Sequence, residues 1–419
     1  MKYIIKSNFL LGMLAAVCII STNVALGQEI TEENLKEKRR EFAYKKRRII
    51  VNNDGLDIKK RNEDDVGSDF INKRISGLAG KQVDAISYCT GVLDSYTHKS
   101  NLSQLRVVNK LGTPYLSQEL LDQGTDALEE VIKFGKSNQI DIFWSFRMND
   151  THDSGTGGYL SQWKQDHLDL LLGEKGGKFE YGGKAWAALN YEKRLVRNRV
   201  FDTIEEVVAN YDIDGIELDF FKHLIYFEEP TRGEPATELQ ISLMTELIRD
   251  LRIMIDRYSI KKQKPILLLI KIPDSPEYAM ALGLDYLDWM EKGYIDILIS
   301  GDYFKLTPWV DFVAMARKYD VASFACLAPR RIHNGGKPGQ KSDLLKWRGE
   351  AYGAWQAGVN GIYTFNRFST WDKIFVEIGD PQKLKNLERE DQESFICEEC
   401  WFKPQKWVKD GEKYLVPKN

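Results

Sequence analysis

The chain has 419 residues, 43% of them hydrophobic, and 59 Lys and Arg stand against 62 Asp and Glu for a formal net charge of −3. That hydrophobic content suffices for a large core, and the mild acidity argues against a nucleic-acid partner, whose phosphates attract a basic face. After the first two dozen positions no run approaches the ~20 apolar residues of a membrane span.

The N-terminus reads as an export signal. Lys2 and Lys6 supply the positive start, residues 9–20 are nearly all apolar, and Ala25-Leu26-Gly27 ends on small residues. Residues 1–27 are therefore expected to be a signal peptide, with Gln28 first in a periplasmic or extracellular protein. Lipidation at Cys18 is the competing reading, and the bulky Val17 opposes it.

Residues 28–46 are charged, with Leu35, Phe42 and Ala43 at helical spacing, and predict a short helix. From there β-branched runs alternate with longer stretches of helical period, the pattern of parallel strands joined by crossover helices. Strands are predicted at 49–53, 85–90, 140–147, 215–220, 266–272, 295–300, 322–328 and 361–366. Eight is the number that closes a (β/α)8 TIM barrel. Helices are predicted at 116–137, 194–211, 238–258 and 344–357, and Ser275-Pro276-Glu277 has the composition of a helix start. The runs are nearly continuous in apolar residues, as in 266–270 (ILLLI), which fits strands buried on both faces. A doubly wound open sheet would carry a Gly-rich phosphate turn after its first strand, and Asn53-Asp54-Gly55 is not one. The domain reading is a barrel over 47–370 and a small C-terminal extension over 371–419.

Long insertions at 149–184 and 223–237 follow the third and fourth strands, on the face where barrels build their sites. The densest signal is Tyr211-Asp-Ile-Asp-Gly-Ile-Glu-Leu-Asp-Phe-Phe-Lys-His223. Strand side chains alternate, so Glu217 and Asp219 share one face. Two acids on a buried strand are costly unless solvated or paired. They are expected at the open mouth, solvated by water and substrate. The structural alternative is an ion pair with Lys222, Arg147 or Lys271.

The run IDGIELDFFKH, with LNYEKRLVRNRVFDTIEEVVANYD upstream, resembles bacterial glycoside-hydrolase-like (β/α)8 proteins associated with polysaccharide degradation. These carry a Val-Asp-Gly-Ile-x-x-Asp fourth strand after a helix entered by a Leu-x-Tyr/Pro segment. RMNDTHD, IPDSPEYAMALGLD and GVNGIYTFNRF resemble the same group, over roughly residues 47–370. The resemblance implies a barrel with its site at the C-terminal strand ends, and leaves the substrate open. The related alpha-amylase pattern, Asp-Gly-x-Arg-x-Asp, matches only in part, because Glu217 stands where its Arg would be. The chitinase pattern fails, because Phe221 occupies the place of its acid.

Glycoside cleavage needs two carboxyl groups flanking the bond. Asp219 is the first candidate. Asp302 after the sixth strand is the leading second one, in a layout that resembles the alpha-galactosidases. Glu217 is the next, and Asp274, Asp150 and Asp153 compete. Arg147, Asn149, Asp150 and His152 crowd the loop after the third strand and are candidates for contacts to sugar hydroxyls. Asn53, Asp54, Tyr88, His223, Lys271, Tyr303, Arg330 and Asn366 fall at strand ends and complete the expected substrate-binding set. Trp144, Trp163, Trp186, Tyr303 and Trp309 are candidates for stacking on sugar rings.

No cofactor is expected. The two His near acids lack an HxH or HxxxH spacing, so no metal is assigned, with Ca2+ in the Asp-rich loop as the alternative. Cys89 and Cys326 read as buried apolar residues, and Cys397-x-x-Cys400 as a disulfide or half of a metal site. The functional expectation is an exported glycoside hydrolase acting on a poly- or oligosaccharide. The alternatives are a non-catalytic carbohydrate-binding barrel and a metal-dependent hydrolase.

Overall fold

The computed structural model describes residues 29–60, 67–108, 112–154, 160–182, 185–333, 341–397 and 402–417. The expected signal segment and Cys400 lie outside them. Eight parallel strands close a barrel: β1 (Ile49–Asn53), β2 (Val83–Tyr88), β3 (Asp141–Arg147), β4 (Gly215–Asp219), β5 (Leu267–Lys271), β6 (Ile297–Ser300), β7 (Ala322–Leu327) and β8 (Gly361–Thr364). Each pairs with its neighbours in chain order, and β1 closes on β8 through Ile50 opposite Tyr363. The chain is a (β/α)8 TIM barrel, as its alternating pattern predicts. All eight expected strands form, with ends displaced by one or two residues.

The strands are buried on both faces because helices sheathe the barrel. Helix α1 (Glu32–Ala43) covers the N-terminal end: Arg39 reaches Asp296 just before β6, and Arg47, just after the helix, holds Asp141 at the start of β3. That end is closed by structure, which leaves function to the other. Helices α2 (Ala127–Asn138), α3 (Arg194–Asn210) and α4 (Glu238–Lys262) sheathe β2 to β5, and α5 (Trp309–Lys318) and α6 (Lys341–Ala357) the later strands.

One helix expectation is corrected. Residues 116–137 do not form a single helix. Ser117–Asp122 ends at a turn where Gly124 adopts φ 79°, and α2 restarts under the Asp126 side chain, which accepts from Leu128 N and Glu129 N. A left-handed Gly followed by an N-capping Asp breaks the apolar period.

The C-terminal tail crosses the opposite end of the barrel. Phe395 O accepts from Lys305 N, Lys406 O from Gly182 N, and Val416 N donates to Leu306 O, each at 2.8 Å. Tyr278 Oη donates to Pro404 O at 2.8 Å. These anchors belong to the segments that follow β3, β5 and β6, so the tail roofs the mouth. Cys397 is disulfide-bonded, while Cys89 and Cys326 are free and buried.

Candidate active site

Alternation along β4 puts Glu217 and Asp219 on the interior face, with Asp219 opposite Arg147 of β3 and Lys271 of β5. Lys271 Nζ lies 3.1 Å from Asp219 Oδ2 and 2.7 Å from Asp302 Oδ2. The two oxygens therefore stand at most 5.8 Å apart, the sum of those distances. Asp302 is set by Gly301, whose φ of 103° turns the chain directly after β6. A Cβ there would fall 2.5 Å from the Trp309 ring.

All three charges are buried. Burial opposes the charge on Lys271, but Asp219 and Asp302 outweigh it and hold the ammonium above its ordinary range. Burial also pushes the Asp302 carboxyl up to about 6, against the pull of Lys271. Among the described residues, Asp219 Oδ1 and Asp302 Oδ1 are buried and have no hydrogen-bond partner. Asp153 Oδ1 is in the same state elsewhere, but only here do two such oxygens belong to carboxylates on one ammonium.

Glu217 lies one pleat deeper. Its oxygens accept from Ser87 Oγ at 2.6 Å and Ser145 Oγ at 2.8 Å, and burial raises its pKa. With both oxygens engaged, Glu217 is a buttress beneath the pair.

The expectation of open, solvated acids is corrected: Asp219 is 2% exposed and Asp302 fully buried. Their charge is offset in part by Lys271, one of the ion-pair partners foreseen. Above them Phe402 of the tail lies flat on Tyr303, and Trp407 stands over His223. Beside this roof opens a cavity of about 610 Å³ lined by Tyr303, Arg330, Phe365, Asn366, Phe368 and Ser369, among others. Its size suits a ligand pocket. Phe365 joins it to the charged cluster, because Lys271 Nζ lies 4.0 Å from that ring's centroid.

Of the expected substrate contacts, Lys271 and Tyr303 adjoin the acids, and Arg330 and Asn366 line the cavity. Arg147, Asp150, His152 and His223 form a second cluster at the mouth. Asp150 accepts from Arg147 Nη1 at 2.6 Å and meets His152 Nδ1 at 2.5 Å. Burial opposes its charge, yet the two His and Arg147 hold its carboxyl well below the usual range. One ligand atom each from Asp150, His152 and His223 lies within 4.8 Å of the others. The strand and loop ends make a grouping that linear spacing does not reveal. Its donors are already engaged: Arg147 and His152 occupy Asp150, and Thr151 N donates to His223 Nδ1 at 3.2 Å.

Four expected contacts are corrected. Asn53 is tied to Asp57 and to Gly55 N. Asp54 pairs with Arg74. Tyr88 points away from the interior, since its neighbour Ser87 reaches Glu217, and its hydroxyl donates to Asp57 Oδ1 at 3.0 Å. Asn149 pins two loops, donating to Leu189 O and Ile225 O and accepting from Leu189 N. Two of the competing acids are also engaged elsewhere: Asp274 accepts from Leu306 N and Thr307 N, and Asp153 from Lys164. Trp144, Trp186 and Trp309 are core residues rather than sugar platforms.

Sequence reasoning missed Ser87, Ser145, Phe365 and the tail rings Phe402 and Trp407. A signal existed for the two serines, each a small hydroxyl flanked by apolar or aromatic residues within its strand. None existed for the rings, whose role depends on where the tail docks.

No family model matches the chain, and no curated protein matches it. Solved structures similar to it include the glycoside hydrolase domain of PgaB (BpsB) from Bordetella bronchiseptica, at 10% identity and TM-score 0.46, covering 83% of this chain and 99% of that one. The galactosidase domain of an alpha-galactosidase-sucrose kinase gives 13% identity and TM-score 0.45, covering 84% of this chain and 43% of that one. Alpha-L-fucosidase isoenzyme 2 from Paenibacillus thiaminolyticus gives 12% identity and TM-score 0.42, covering 82% and 49%. The chain thus spans less than half the length of the last two. Likeness at this level carries no argument about activity.

Proposed function

We propose that this chain is a glycoside hydrolase whose reacting pair is Asp219 and Asp302. The observation that carries the reading is one buried ammonium holding two carboxylates, each with an oxygen left without a partner. Asp153, paired with Lys164, also leaves one oxygen without a partner; what sets Asp219 and Asp302 apart is that two such carboxylates share one ammonium at the C-terminal strand ends.

The chemistry follows from the environments. Asp302, with its carboxyl raised to about 6, supplies the proton to the glycosidic oxygen as the bond to the anomeric carbon breaks. Asp219 attacks that carbon and forms an ester. Water then displaces Asp219 and returns a proton to Asp302. A separation of at most 5.8 Å between the paired oxygens matches the ~5–5.5 Å of retaining enzymes better than the ~6.5–9.5 Å of inverting ones. Lys271 keeps the two acids together while their charges change. In this reading Phe402 must leave Tyr303 before a sugar reaches the acids, and the cavity beside it receives the chain. Export is proposed as well, on the basic and apolar start of the sequence.

The test is release of reducing ends from a panel of purified glycans. Wild type should act on at least one, and Asp219→Asn should lose that activity while still binding the glycan. An unimpaired Asp219→Asn variant would exclude Asp219 as a reacting acid, and a wild type that binds a glycan but cleaves none would point to a carbohydrate-binding barrel.

The grouping of Asp150, His152 and His223 favours one second reading, a metal-dependent hydrolase. Activity abolished by EDTA and restored by a divalent cation would support it. Activity indifferent to EDTA supports the carboxylate pair.

A further inference from the structure

Among the described residues, eight Lys and Arg side chains are buried: Arg39, Arg47, Lys164, Lys222, Arg252, Lys271, Lys305 and Arg331. Six of them hold a carboxylate at 2.6–2.9 Å, and Arg39 reaches Asp256 at 3.4 Å. Lys222 is the exception. It is 9% exposed, and no ion pair or hydrogen bond to its ammonium occurs among the described residues. The Phe365 ring lies 5.7 Å from its Nζ.

The other seven buried Lys and Arg of the described residues each have a direct ion pair, and a largely buried cation without one is costly. Its surroundings explain why no acid serves it. Asp219 is committed to Lys271, and Asp150 to Arg147 and His152. Burial, then Arg147 and Lys271, push the Lys222 pKa down, and Asp150 and Asp219 only partly offset them. Phe365 touches two lysines: Lys271, ion-paired with both acids, and Lys222, which has no direct ion pair. That ring lines the cavity and Lys222 itself does not, so Lys222 lies behind Phe365, between the cavity and the proposed reacting pair.

We propose that Lys222 receives a negatively charged group of the substrate, a carboxylate or a sulfate on a sugar ring, so that the enzyme acts on an acidic glycan. This rests on the glycosidase reading of the mouth. The anion supplies the missing counter-charge, while Phe365 and Tyr303 offer their rings to the apolar face of the sugar. A neutral sugar at the same place leaves the ammonium uncompensated, so charge becomes the basis of selection.

The test is calorimetric titration of the full chain with glucuronate and galacturonate oligomers, a sulfated oligosaccharide and neutral oligosaccharides of matched length. Wild type should bind a charged oligomer at least tenfold more tightly than its neutral match. The carboxylate and sulfate arms tell which group is read. Lys222→Met should remove the preference, and Lys222→Arg should keep most of it, which separates lost charge from a damaged fold. Equal binding of charged and neutral oligomers by wild type, or an undiminished preference in Lys222→Met, would overturn the proposal. Cleavage of neutral glycans without charge preference would reject this subsite and leave the hydrolase reading standing. Charge-selective binding without any cleavage would do the reverse.

Discussion

Phe402 lies flat on Tyr303, with ring centroids 4.1 Å apart and planes 11° from parallel. Tyr303 directly follows Asp302, so this stack sits on the residue that adjoins the proposed acid. Phe402 also stacks on Trp407 at 6.4 Å, and Trp407 meets His223. The tail thereby reaches both sides of the mouth through two rings, Phe402 and Trp407. Aromatic pairs contribute about 0.5–1.5 kcal/mol beyond the area they bury, a closure weak enough to reopen. Phe402→Ala should therefore raise kcat/KM on long glycans several-fold and lower Tm slightly. Steady-state rates on long and short substrates check this. A fall in rate with unchanged Tm would show that the ring contacts substrate instead of shutting it out.

Lys271 is the keystone of the charge cluster. Removing one partner of a buried ion pair costs about 3–5 kcal/mol, because the remaining charge stays buried and uncompensated. Here two carboxylates would be stranded, within 5.8 Å of each other at their paired oxygens. Lys271→Met should cost at least that much in urea unfolding, and adding Asp302→Asn should recover part of the loss. A loss below about 1 kcal/mol would mean that water, not Lys271, compensates the acids.

The pH dependence follows from Asp302. Its carboxyl is raised from 3.8 to about 6 by burial, so the folded chain holds this proton more tightly than the unfolded chain. The stabilisation is complete below pH 3.8 and is lost as the pH rises to about 6. At ~1.4 kcal/mol per unit it amounts to roughly 3 kcal/mol. Asp302→Asn should flatten stability across that window. Acting as the proton donor, Asp302 should also make kcat/KM of the wild type fall as the pH rises past about 6. A rate profile level from about pH 5 to 8 would exclude Asp302 as the acid.

The barrel was legible because its signal is local. Apolar runs such as 266–270, set between helical periods, mark β5 wherever the chain folds, and period-two alternation placed Glu217 and Asp219 on one face. The pairing of Asp219 with Lys271 was among three readings the sequence allowed, since only strand register distinguishes Lys271 from Lys222 and Arg147. The burial of the acids was not legible. It depends on a tail more than a hundred residues distant from Asp219 folding back over the mouth, and Phe402 and Trp407 carry no mark of that in the sequence. Tyr88 and Asn53 failed for a related reason. Each ends a strand, but Asp57, one turn beyond β1, draws both side chains away from the mouth.

The most direct measurement is trapping the covalent intermediate. The protein would be incubated with a 2-deoxy-2-fluoro glycoside of a cleaved substrate, digested, and its peptides weighed. The account predicts one sugar mass on the peptide carrying Asp219, none in Asp219→Asn, and a product that keeps its anomeric configuration. A label on another carboxylate, or a product of inverted configuration, would contradict it.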